Sequence, residues 1–390
     1  MAETQAVVVK AHSVEAQHTT IIQAYDDGDY VTVVGCSNPG IVDSWSFRVI
    51  LGNIKSQVES GQAGDRAMFV NQGIRQVREY QKRRKDQQEK KDKGRQDRSV
   101  FFIFRENYEP QALTKIKSIV KDRYGAEFAI LDNIGELVNF VNSRRNKKRF
   151  IKQMDFYSHG LVGAIEFGYD TDKADSYRFG HVQARLLKPE MFHDDAVVMS
   201  YACRTGIAVD RDSFADGTSP QYDKSLAQTL ADCADVEVHA FLRRTDYRQT
   251  YGNKAQSETA AKTKNKVLEY DLKMSQFDKL LTDYHKIMAR RQKLLEAYRR
   301  SSGNPDVQAI PGMPAEPSPP QSPEKDFSEE EEELARAEIA RQKNQWDYNL
   351  PIDPYGAVNP VGTFGTPEGL PEGKRVFTPV AWETKKRDSA

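Results

Sequence analysis

The chain of 390 residues carries 57 Lys and Arg against 57 Asp and Glu, with 38% hydrophobic and 29% charged residues. The balanced charge argues against nucleic acid or an anionic membrane as partner, and the low apolar fraction points to a packed core diluted by solvated linkers and tails. No run of about 18 apolar residues spans a bilayer, and the opening MAETQAVVVKAHSVEAQ lacks the basic and long apolar regions of a secretory signal.

In chain order, residues 1–75 hold short β-rich runs, AVVVKAH, YVTVVGC and WSFRVIL, separated by the turn-formers DDGD and SNPG, and read as a small N-terminal module. A polar helix then runs into a basic stretch, with ten Lys/Arg and five Asp/Glu between Arg78 and Arg98. Its interspersed charges, without aromatics beyond Tyr80, describe a solvated helix or linker over 76–98 rather than a nucleic-acid site. Its exposure makes it a candidate for proteolytic nicking.

Residues 99–252 have a different rhythm. VFFIF (100–104) is a buried strand by length and composition, and Pro110 opens a helix that Gly125 stops. EFAIL (127–131), MDFYSHG (154–160), AVVMSYAC (196–203) and VEVHAFLRR (236–244) are further strands, with helices over IGELVNFVNSRRNKKRF and SLAQTLADCA. A hairpin excursion, LVGAIEFGYD to SYRFGHVQ, separates the third strand from the fourth. Strands alternating with helices predict an α/β doubly wound core with a mainly parallel sheet.

An amphipathic helix over 253–303 follows, its stripe from Leu268 to Tyr298 expected to pack on the core or on the N-terminal module. Residues 304–333 are a Pro/Glu-rich linker, with six prolines between Pro311 and Pro323 and glutamate at 329–333, too poor in apolar side chains to order. Residues 334–390 read as a short helix and an irregular tail, either a strap over the surface or a docking segment. Three cysteines, Cys36, Cys203 and Cys233, make no disulfide framework. The expected location is cytoplasmic, with a signal-peptide-independent export route as the alternative.

The chemistry gathers in two strings, Phe156-Tyr157-Ser158-His159-Gly160 and Met199-Ser200-Tyr201-Ala202-Cys203-Arg204-Thr205-Gly206. Both close apolar strands, and in an open parallel sheet functional groups collect at the carboxyl edge. A thiol attacks a carbonyl as thiolate, so Cys203 needs a base, and an imidazole on the neighbouring strand end supplies one. His159 would then protonate the leaving amine, with the Gly160 and Cys203 N–H groups aimed at the developing oxyanion. Neither GxxxxGK[ST] nor GxGxxG occurs, and His181, His193, His239 and His285 lack metal-site spacing. No cofactor or metal is expected. Asp210, Asp212 and Asp216 read as a solvated acidic loop.

These strings resemble the caspase-like cysteine peptidases, in which an apolar strand ending in His-Gly precedes a second ending in the nucleophilic Cys. Ala202-Cys203-Arg204 matches the core of the caspase string, and His159 lies 44 residues upstream of Cys203. The likeness covers residues 99 to about 250. It implies a caspase-like sheet flanked by helices, a Cys203–His159 dyad with Gly160 as an oxyanion donor, and a protein or peptide substrate. Two residues before the nucleophile stands Tyr201, where caspases have Gln and metacaspases Asp, and Thr205 intervenes before Gly206. Neither family specificity is inherited from the motif. Arg105, Glu106 and Asp132, at predicted strand ends, are further candidates for the substrate pocket with Tyr201; Arg105 favours an acidic side chain and Glu106 a basic one. By analogy the expectation is a cysteine endopeptidase of the effector, toxin or regulated-protease kind. The alternative is a non-catalytic docking protein, with the N-terminal module or C-terminal tail engaging a protein partner.

Overall fold

The computed structural model describes residues 27–36, 67–89, 97–106, 108–144, 149–168, 174–306 and 308–381. The runs AVVVKAH and WSFRVIL, the SNPG turn, residues 90–96 of the basic stretch and the final nine residues of the tail lie outside them. The elements in chain order are β1 (Gly28–Val34), α1 (Met68–Glu89), β2 (Arg98–Phe104), α2 (Pro110–Ser118), β3 (Glu127–Leu131), α3 (Ile134–Asn142) and β4 (Phe150–Tyr157). Then come β5 (His159–Leu161), β6 (Ala164–Glu166), β7 (Arg178–Gly180), α4 (His181–Leu186), β8 (Phe192–Ser200), α5 (Leu226–Ala234), β9 (Glu237–Phe241) and β10 (Thr245–Asp246). The chain ends with α6 (Lys254–Ser302), α7 (Glu329–Tyr348), β11 (Gly362–Thr363) and β12 (Lys374–Phe377). Two compact units result, Met1–Asn253 with Ala340–Ala390, and Lys254–Ile339.

The first unit is an α/β fold built on a seven-stranded sheet in the order β12-β9-β8-β4-β1-β2-β3, parallel except for β12. Near-continuous apolar runs such as RSVFFIF suit strands covered on both faces. Alternate side chains of β2 separate accordingly. Val100, Phe102 and Phe104 join the core under α3, α4 and α5, while Phe101 and Ile103 join the core under α1 and α2. The chain builds outward from β1 through β2 to β3, then returns to lay β4 on the other side of β1. The order therefore reverses between β1 and β4, where functional groups of open α/β sheets collect at the carboxyl edge. The hairpin excursion is the small antiparallel sheet β5-β6-β7 on that edge.

The structure corrects the N-terminal boundaries. YVTVV is not part of a separate module; as β1 it is the strand between β2 and β4 in the main sheet. Nor is 76–98 a linker throughout. Phe69, Val70, Ile74, Val77 and Tyr80 recur at helical spacing along α1 and are buried, while Lys82, Arg83 and Lys85 are exposed. A polar row completes the contact with β4. Gln76 accepts from the Tyr157 hydroxyl at 3.0 Å, the Tyr80 hydroxyl donates to Asp155, and Arg83 donates to Gln153 at 3.3 Å. Burial pushes the Asp155 carboxyl well above the usual carboxylate range, opposed by the Lys374 ammonium.

The tail is also more ordered than its composition implies. Leu350 and Ile352 are buried in the core under α1. Buried Asn71 of α1 donates to the Pro351 carbonyl at 3.1 Å and accepts from the Asp353 N–H at 2.9 Å. At Gly356, φ is 83°, and a Cβ would lie 2.3 Å from the Arg75 nitrogen, so only glycine fits. Beyond it, β11 pairs with β10 and β12 closes the sheet edge beside β9.

In the second unit the long helix α6 buries Ala260, Thr263 and Val267 near its start, and Val267 clusters with Phe327 and Ala335. The stripe is covered only in part: Phe277, Leu281, Tyr284, Met288, Leu295 and Tyr298 are half-buried, while Leu272, Leu280 and Ile287 are more than half exposed. The Pro-rich stretch after α6 folds back along it. Arg291 donates to the Pro314 carbonyl, Lys266 reaches Asp326 at 3.1 Å, and Ile310, Met313, Pro317, Pro320 and Pro323 are half-buried at roughly three-residue spacing. Ser328 and Glu331 start α7 with a reciprocal capping box, at 3.2 and 2.9 Å. Among the described residues no helix is long and apolar enough to cross a membrane.

Candidate functional site

The register of the sheet brings the two strings together. β4 and β8 are parallel neighbours with Phe156 opposite Ser200, and the Tyr201 N–H donates to the Phe156 carbonyl at 2.9 Å. His159 and Cys203 each lie three residues beyond that paired position, on adjacent strand ends. The backbones meet there. A Cβ placed on Gly160 would lie 2.2 Å from the Cys203 carbonyl oxygen and 2.4 Å from its nitrogen, distances that no side chain tolerates.

Each string is anchored from behind. Ser158, fully buried, donates its hydroxyl to the Glu166 carbonyl and ties the turn before His159 to β6. After Cys203 the chain turns through Arg204, at φ 56°, and crosses to β9. The Arg204 N–H donates to the Arg243 carbonyl at 3.2 Å and the Gly206 N–H to the Phe241 carbonyl at 3.1 Å. Ser200 and Thr205 hydroxyls pair at 2.8 Å beneath this turn.

Three residues that sequence reasoning missed complete the surroundings. The half-buried Cys203 sulfur lies 3.1 Å from the Thr245 hydroxyl and accepts the Thr245 N–H at 3.3 Å. Phe69, in the first turn of α1, sets its ring edge-on between His159 at 4.8 Å and Tyr247 at 4.9 Å. The Tyr247 hydroxyl donates to the Tyr201 carbonyl at 2.9 Å, and burial, then the neighbouring Cys203, raise its pKa well above the usual phenol range. Thr245 was legible in one respect: VEVHAFLRR ends at Arg244, which puts position 245 at the carboxyl edge beside Cys203. Phe69 carries no such signal, because its contact joins distant parts of the chain.

Burial pushes the His159 imidazole down to about 4. At neutral pH the ring is therefore an uncharged base, able to take a proton and unable to hold one permanently. Removing a proton from a thiol and returning it to a leaving group needs a group of that kind within reach.

The pocket residues proposed from sequence are not assembled around this pair. Arg105 and Asp132 form an exposed ion pair with each other at 2.7 Å, at the ends of β2 and β3. β2 stands three strands from β8, about 14 Å at the usual strand spacing. Glu106 packs its carboxylate over Gly168 beside Tyr177. Tyr201 turns its ring onto Tyr157, stacked at 4.4 Å, with the Lys374 ammonium 4.4 Å over it, so it contributes its carbonyl to Tyr247 rather than its ring to a pocket. The acidic loop is paired off as well: Arg204 with Asp210, Arg244 with Asp212, and Arg211 with Asp216. Among the described residues no group of three or more His, Cys, Asp or Glu is arranged to hold a metal ion. Comparison with protein-family models, curated proteins and solved structures gave no match.

Proposed function

We propose that this protein is a cysteine endopeptidase with a caspase-like core, cleaving peptide bonds through Cys203 and His159. The observation that carries the reading is the fit of Gly160 against the Cys203 backbone, which holds the His-Gly and Ala-Cys strand ends in one place. In this mechanism the Cys203 sulfur bonds to the substrate carbonyl carbon while His159 takes the thiol proton. Negative charge moves to the carbonyl oxygen, and the N–H groups of Gly160 and Cys203 are the donors assigned to receive it. His159 passes its proton to the leaving amine as the C–N bond breaks, leaving a thioester. Water then attacks the same carbon, His159 taking its proton, and the C–S bond breaks to release the acid and restore the thiol.

The test compares wild-type and Cys203→Ala proteins on a whole proteome, cataloguing new N-termini. Cleavage by the wild type alone supports the reading, and the residues flanking the cuts define the pocket. Equal cleavage by both overturns it. A wild type that cuts nothing under conditions where it is folded leaves the non-catalytic docking role in its place.

A further inference from the structure

We infer that Thr245 is a second group acting on the Cys203 sulfur, fixing the thiol for attack and receiving negative charge as the sulfur leaves the acyl carbon. The inference rests on Cys203 being the nucleophile. Its basis is a two-point contact from one residue: hydroxyl oxygen to Sγ at 3.1 Å, and backbone N–H to Sγ at 3.3 Å. A single surface hydroxyl near a sulfur would be replaceable by water. This one is buried, and its backbone is clamped. Thr245 pairs with Thr363 across β10 and β11, while the Arg244 N–H donates to the Thr366 carbonyl at 2.7 Å and the Phe364 N–H to the Arg244 carbonyl at 2.9 Å. Donors held this way need no reorganisation when charge appears, which is the condition under which hydrogen bonds accelerate a reaction.

The charge appears on sulfur in deacylation. Water oxygen bonds to the thioester carbon, the C–S bond breaks with its electron pair on sulfur, and the proton taken up by His159 returns to that sulfur. Between bond cleavage and proton return the sulfur is anionic, with the Thr245 N–H and hydroxyl already against it. The same two contacts hold the sulfur in one position as it attacks an electrophile. Through Thr245, residues 362–366 of the tail act on the reaction by holding this side chain in place.

The test uses the full chain as wild type, Thr245→Ser, Thr245→Ala and Thr245→Val. Alkylation of Cys203 by iodoacetamide near neutral pH is followed by mass spectrometry, alongside kcat and KM on a cleaved protein. Alkylation needs no peptidase activity, so the two readings fail separately. The serine variant is expected within about twofold of wild type, and the alanine and valine variants about five- to tenfold slower in alkylation and kcat, with KM unchanged. Should valine unfold the chain, as thermal melting would reveal, alanine carries the comparison. Slow alkylation by alanine with a wild type that hydrolyses nothing removes the peptidase and keeps Thr245 on the sulfur. Alanine alkylating as fast as wild type, or serine as slow as alanine, overturns the inference.

Discussion

Gly160 and Cys203 approach so closely that the carbonyl oxygen of one lies 2.2 Å from where a Cβ of the other would stand. Gly160→Ala therefore has to push β5 away from the turn after β8. We expect a stability loss of about 1–3 kcal/mol, the usual cost of overpacking, and peptide cleavage reduced at least about tenfold, since about 1.4 kcal/mol of lost alignment suffices for that. Chemical denaturation and a cleavage assay on the same preparation check both. A fully active Gly160→Ala protein would mean the contact is not required.

His159 sets an acid limit on stability. Its imidazole is lowered to about 4 by burial, against about 6.5 in an unfolded chain. Between those values the unfolded state binds the proton and the folded state does not, so stability falls as pH drops from about 6.5 to about 4 and is insensitive to this group above that window. His159→Gln should flatten the thermal midpoint against pH across that interval relative to wild type. An unchanged slope would show that the ring is not buried as a neutral base.

Arg105 and Asp132 pair with each other at the far side of the carboxyl edge. Exposed ion pairs contribute about 0–1 kcal/mol, and this one stands about two strand spacings, roughly 10 Å, from β4. Replacing either by alanine should leave stability within about 1 kcal/mol and the cleavage pattern unaltered. A changed residue preference at the cut sites would restore them to the pocket.

Asn71 joins α1 to the tail through its side-chain contacts with Pro351 and Asp353, and its own carbonyl accepts the Ala357 N–H at 2.8 Å. Asn71→Ala leaves a buried carbonyl and N–H unsatisfied at a cost of about 1–3 kcal/mol. Limited proteolysis should then cut near residues 350–357 before the core. Equal protease resistance in the variant would show that the tail is held elsewhere.

How much of this was legible depends on the range of the contacts. The five segments from VFFIF to VEVHAFLRR announce strands by composition, and EFAIL matches β3 residue for residue. The placing of the His159-Gly160 and Cys203 strand ends side by side follows from that alternation, because adjacent parallel strands bring their carboxyl ends to one edge. β1 was misplaced by the long stretch separating it from β2, although YVTVV is apolar without alternation, as a strand covered on both faces should be. In α1 the basic count masked an apolar stripe at Val70, Ile74 and Val77. Arg105 and Asp132 group with Cys203 in sequence because all stand at strand ends, which share an edge without sharing a place on it: Arg105 and Cys203 are separated by β1 and β4. Much of the tail escaped because, beside the buried Leu350 and Ile352, it is held through backbone groups such as the Pro351 carbonyl and the Ala357 N–H, which carry no sequence signature.

The most direct measurement is the cleavage rate of one proteome-derived substrate by four proteins: wild type, Cys203→Ala, His159→Ala and the double variant. Groups acting as a unit are not additive. The expected result is near-complete loss in each single variant and no further loss in the double. Cleavage that persists in Cys203→Ala, or falls in further multiplicative steps from single to double variant, would contradict a Cys203–His159 dyad.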